Sequence, residues 1–95
     1  MYLGSYRFDG DPEQLTAAYD RLLEGFPPDA ILWHTCVRRD DGLTVYDACP
    51  TRDEFARFST DPQVLGAMAA AGLPAPVVEP LGDVHHVQAA TEVLA

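Results

Sequence analysis

The stretch from Leu43 to Leu73 changes its hydrophobic period partway along, and this change limits the fold more than any other feature of the chain. Leu43-Thr-Val-Tyr-Asp-Ala-Cys49 alternates as a pleated strand does. Thr51-Arg-Asp-Glu54 then spells a capping box, and Phe55 and Phe58 follow at helical spacing. A second strand-helix-strand half precedes this one. Tyr2 to Phe8 alternates as a first strand, and Asp11-Pro12, with Gln14 reaching back, opens a helix carrying Leu15, Tyr19, Leu22, Leu23 and Phe26 on one stripe. Gly25 and Pro27-Pro28 stop that helix, and Ala30 to Arg38 reads as the second strand. Arg39-Asp-Asp-Gly42 is a hairpin signal, since glycine supplies the positive φ of a primed turn.

The second helix is expected to break near Ser59 and to restart at Asp61-Pro62, with Val64, Leu65 and Met68 on one face and Gly72 as its stop. Pro74, Pro76 and Pro80 keep the chain extended until a last strand around Val84 to Gln88. The order is β-α-β-β-α-β. Two such units joined by a hairpin fold most simply into a ferredoxin-like α+β domain, a four-stranded antiparallel sheet with both helices on one face, spanning residues 1–95 as one domain.

Composition narrows the partners. A chain of 95 residues, 47% of them hydrophobic, is near the size at which one core only just suffices, so burial against a second copy is expected. Six basic against fifteen acidic residues give a net charge of −9, which argues against nucleic acid and anionic lipid. No apolar run approaches the roughly 20 residues of a membrane span, and the N-terminus lacks the features of a signal peptide, so a cytoplasmic protein is expected. Cys36 and Cys49 do not form a disulfide scaffold, and no CxxC or H-E-x-x-H spacing suggests zinc. The tail after Gln88 is expected to fray.

Four segments carry a resemblance: Pro28-Asp-Ala-Ile-Leu-Trp-His34, Val45-Tyr-Asp-Ala-Cys-Pro-Thr-Arg-Asp-Glu-Phe55, Ala71-Gly-Leu-Pro74 and Val84-His-His-Val87. On these the chain resembles, over nearly its whole length, the dimeric α/β-barrel superfamily, and in particular uncharacterised proteins similar to antibiotic-biosynthesis monooxygenases. Relatives often carry an acidic residue, a tryptophan two positions on, and a serine cap before the helix. Asp47 and Thr51 match that pattern, while Cys49 stands at the tryptophan position. The resemblance implies a homodimer whose two sheets face each other around a cavity, forming a dimeric α/β barrel. Some relatives oxidise polycyclic aromatic substrates without metal or flavin, and others bind haem or have no known role.

The hairpin places the candidate chemistry. If Asp41-Gly42 forms the loop, Arg38 pairs with Val45, Cys36 with Asp47 and His34 with Cys49, all on one face. The other face holds Ile31, Trp33, Val37, Tyr46 and Ala48, the more apolar set, and is expected under the helices. That leaves His34, Cys36, Asp47 and Cys49 on the bare face, inside any dimer barrel.

Three roles compete for this cluster. His34 with Cys49 could form a thiolate-imidazolium pair. His34 oriented by Asp47 could act as a base on an acidic phenolic or enolic substrate. Alternatively the residues form a satisfied polar pair at an interface.

Tyr6 and His86 are further candidates to line a ligand pocket with Cys36 and Cys49. His85 and His86, adjacent on a strand, point to opposite faces and do not form a local metal pair, so no metal and no cofactor is expected. The row Tyr2, Tyr6, Phe8 suits either a flat aromatic ligand or the helix-side core, and Trp33 is expected in the core.

Two functions remain open. One is a small-molecule-binding protein of the monooxygenase-like group, with cofactor-independent oxidation or cyclisation of an aromatic polyketide-type substrate in which His34 and Asp47 are catalytic. The other is a non-catalytic dimerisation or ligand-carrying module. A cavity of roughly 300 Å³ or more with a polar end favours binding or catalysis.

Overall fold

The computed structural model describes residues 1–25 and 31–88. Four strands, β1 (Tyr2–Asp9), β2 (Trp33–Arg39), β3 (Gly42–Cys49) and β4 (Val77–Asp83), form one antiparallel sheet in the order β2-β3-β1-β4. Three helices, α1 (Pro12–Glu24), α2 (Arg52–Thr60) and α3 (Pro62–Ala71), cover one face of it. This is the ferredoxin-like α+β fold expected from the order of periods. No described helix is long and apolar enough to cross a membrane.

The helices start and stop where local chemistry directs. Asp11 caps α1 by accepting from the Glu13 backbone N–H, and Thr51 caps α2 by accepting from that of Glu54 at 3.1 Å. Asp61 ends α2 and begins α3, its carboxylate accepting from the Gln63 N–H at 2.9 Å with Pro62 at the first helical position. Gly72 closes α3 with φ 102°, a left-handed value that suits glycine. Phe26, Pro27, Pro28, Ala30 and the tail after Gln88 lie outside the described residues.

The core lies between sheet and helices. Tyr2, Tyr6 and Phe8 of β1 and Leu43, Val45 and Cys49 of β3 meet Leu15 and Ala18 of α1, Phe55 of α2, and Val64 and Met68 of α3. Phe8 and Leu43, opposite each other, are each almost fully buried, a contribution of about 1.5–3 kcal/mol per side chain.

Three expectations need correction. The hairpin turns on Asp40-Asp41, with Arg39 paired to Gly42, so the register lies two residues from the expected one. Among the described residues no non-glycine has a positive φ, so the turn is not of the primed kind. Gly42 serves another purpose: a side chain there would lie 2.1 Å from the carbonyl oxygen of Phe8. Arg39 holds the hairpin closed, donating to Asp41 at 2.5 Å, to Thr44 Oγ1 at 3.0 Å and to the Phe8 carbonyl at 3.2 Å.

The last strand is Val77–Asp83, not Val84 to Gln88. Pro80 is tolerated because β4 is an edge strand and its register against β1 shifts at this point, where a missing N–H costs little. His85 and His86 therefore lie exposed beyond the strand.

The faces are also reversed. The even residues of β1 and β2 and the odd residues of β3 look toward the helices, whereas Trp33, Val37, Tyr46 and Ala48 lie on the uncovered face. Trp33, expected in the core, is 40% exposed there.

Candidate functional site

The helix-facing side of the sheet is built in cross-strand rows. One row runs Cys36, Val45, Tyr6, Val78, and the next runs His34, Asp47, Gly4, Pro80. Asp47 belongs to a central strand and is buried; His34 belongs to edge strand β2 and is half-exposed. Directly opposite each other, they bring Nδ1 of His34 to 2.5 Å from Oδ1 of Asp47. The shift of register makes this contact, because the expected pairing would have set His34 against Cys49.

Tyr19 reaches down from α1 to the other side of the imidazole. Its hydroxyl is hydrogen-bonded to Nε2 of His34, and the two rings stack 5.7 Å apart at an interplanar angle of 7°. With Asp47 as acceptor, Nδ1 carries the imidazole proton, and Nε2 accepts from the phenol. Burial, reinforced by Cys36, Asp47 and Asp20, pushes the Tyr19 phenol up to about 12. The phenol accordingly keeps its proton and serves as the donor in this chain of three groups.

These groups border a cavity of about 370 Å³ between sheet and helices, within a single chain. Its walls are mostly apolar: Phe8 and Val45 from the sheet, Leu22 and Leu23 from α1, Phe58 from α2 and Met68 from α3. His34, Asp47, Tyr6 and Tyr19 are the lining residues with polar side-chain atoms. Such a space accepts a flat, largely apolar molecule and offers a base at its rim.

The expected site residues separate into two groups. His34, Asp47 and Tyr6 line the cavity, and Ile31 joins them from the segment before β2. Cys49 is buried in the core beside Tyr2 and does not line it; Cys36 packs against the core edge. Burial raises both thiols above 9.0, with Asp20 adding at Cys36 and Asp47 and Glu54 at Cys49, so a thiolate-imidazolium pair finds no support. His86 lies apart from the cavity.

Tyr6 is 1% exposed, and among the described residues its hydroxyl has no hydrogen-bond partner. Burial first, then Asp47 and Cys49, holds its phenol above the ordinary range.

Tyr19 was missed as a site residue because it reads as one more member of the apolar stripe of α1. The available signal was its polar tip, set among leucines on the side that meets the sheet.

The chain matches no protein-family profile and no curated protein. Among solved structures it is similar to SnoaB, a cofactor-independent oxygenase from Streptomyces nogalater. Superposition covers 96% of this chain and 95% of that one, at 18% identity and a TM-score of 0.56 for an asparagine-to-alanine mutant of SnoaB. A second SnoaB structure gives a TM-score of 0.55 at the same identity and coverage. At this identity the likeness speaks for the fold alone: the chain shares with these structures a ferredoxin-like α+β fold.

Proposed function

We propose that the protein binds a flat, mostly apolar small molecule in the cavity under its helices and deprotonates it there, with His34 as the base and Asp47 as its orienting carboxylate. The observation that carries this reading is the 2.5 Å contact between His34 Nδ1 and the buried Asp47 at the border of an apolar cavity of about 370 Å³. A carboxylate on one nitrogen fixes the tautomer and stabilises the imidazolium formed when the ring takes up a proton. Apolar walls exclude water and leave the resulting anion to react with dioxygen or with a carbonyl of the same molecule. The shared fold with a cofactor-independent oxygenase favours the first outcome. An acidic phenol or enol of an aromatic polyketide-type molecule is the substrate class that fits, and the chain's charge of −9 disfavours a strongly anionic one.

The working unit in this reading is a homodimer in the cytoplasm, assembled through the uncovered face of the sheet, where Trp33, Val37 and Val77 are all exposed. A panel of flat phenols, followed by oxygen consumption and product mass, tests the function. Turnover should be lost in His34→Ala while folding and oligomeric state are retained. An unchanged rate in that variant removes His34 as the base. Binding without turnover in the wild type leaves a ligand carrier.

A further inference from the structure

Both ring nitrogens of His34 are already engaged, Nδ1 by Asp47 and Nε2 by Tyr19, so a molecule in the cavity does not meet a free imidazole nitrogen. Tyr19 itself lines the cavity, and its ring lies parallel to the imidazole with the hydroxyl bonded to Nε2. We infer that Tyr19 is the catalytic residue that touches the substrate, relaying its proton to His34. This inference rests on the function proposed above.

The relay balances as two coupled proton transfers. The acidic proton of the substrate passes to the oxygen of Tyr19 as that oxygen gives its own proton to Nε2 of His34. The products are a substrate anion, a neutral phenol and an imidazolium held by Asp47. No standing phenolate is required, which agrees with a phenol that burial keeps protonated. No electrons are transferred in this step. The placement of hydroxyl, imidazole and carboxylate repeats the logic by which a buried carboxylate orients a histidine and the histidine activates a hydroxyl, here with a phenol as the proton carrier.

The test uses 2-tetralone, an enolisable bicyclic ketone, as probe. Exchange of the protons between its carbonyl and its aromatic ring is followed by NMR in D₂O with the wild type, Tyr19→Phe and His34→Ala. The wild type should accelerate exchange and His34→Ala should abolish the acceleration. Tyr19→Phe, which keeps the ring but loses the hydroxyl, should lower kcat about 100-fold with little change in KM. Exchange that is unchanged or faster in Tyr19→Phe but lost in His34→Ala overturns the relay and leaves His34 as a direct base. An unaccelerated wild type, or full activity in His34→Ala, overturns the base and the relay with it.

A measurement without substrate tests the contact separately. The ¹⁵N resonance of His34 Nε2 should move on Tyr19→Phe as the phenol bond is lost. An unmoved resonance overturns the relay whatever the kinetics show.

Discussion

The ring of Phe55 rests on Gly4: a β-carbon built on that glycine would lie 2.0 Å from Cζ of the phenylalanine. Gly4 shares its row with His34 and Asp47, so its missing side chain lets the first turn of α2 come down onto the sheet beside the site. The ring also packs against Tyr2 and Tyr6, with centroids 5.8 Å away in both cases. Gly4→Ala should therefore overpack the core and cost about 1–3 kcal/mol. In a domain of this size each kcal/mol lowers the Tm by roughly 4–8 °C. A thermal melt of the variant that overlays the wild type would refute this packing.

Tyr6 offers the opposite experiment. Its hydroxyl is buried without a partner among the described residues, whereas in the unfolded chain it is hydrated. Replacing it by phenylalanine removes a desolvation cost and keeps the ring that packs on Phe55, so Tyr6→Phe should stabilise the fold by about 1 kcal/mol. Urea denaturation measures this directly, and a lower midpoint at unchanged slope would contradict it.

Alkaline pH should weaken the protein in a defined window. Cys36 and Cys49 are raised above 9.0 by burial, and Tyr19 is raised from 10.0 to about 12. In each case the folded state favours the neutral form. The associated stability is fully present below the unfolded values and is lost as pH rises through the folded ones. Urea midpoints should therefore be level up to about pH 8 and fall steadily between about pH 9 and 12. Tyr19→Phe should flatten the upper part of that fall, and a wild-type midpoint independent of pH across the window would contradict the burial of these groups.

The uncovered sheet face predicts association. Trp33 and Val37 of β2 and Val77 of β4 are each 40% exposed or more, although a monomer of this size gains by hiding such residues. Light scattering should give twice the 10.4 kDa mass of the chain, and Trp33→Glu or Val37→Glu should return it to the single value. A wild-type mass of one chain at micromolar concentration would rule out this interface.

What could be read from the sequence follows the range of the interactions. Caps and breaks are local, and Thr51, Asp61 and Gly72 each act where their neighbours indicate. The kinship of His34, Cys36, Asp47 and Cys49 was also legible, because strand parity decides which residues share a face. Which face meets the helices was not. Both sides of this sheet are apolar, so counting hydrophobic residues on β2 and β3 favours the Trp33 side, whereas the helices cover the His34 side. Pro80 hid the fourth strand for a related reason: a proline argues against a strand unless that strand lies at an edge, and edge position is a property of the whole sheet. Tyr19 and His34 are fifteen residues apart and belong to different elements, so no local pattern announces their contact.

The two-residue loop at Asp40-Asp41 sets a rule for how this chain can change length. An insertion or deletion of two residues in the arm leading to the turn slides one strand along the other yet returns each side chain to its own side. A change of one residue there turns the imidazole toward solvent while the carboxylate stays inside. Even steps therefore keep the imidazole on the helix side, and only equal changes in the two arms, which restore the register, also keep it opposite the carboxylate.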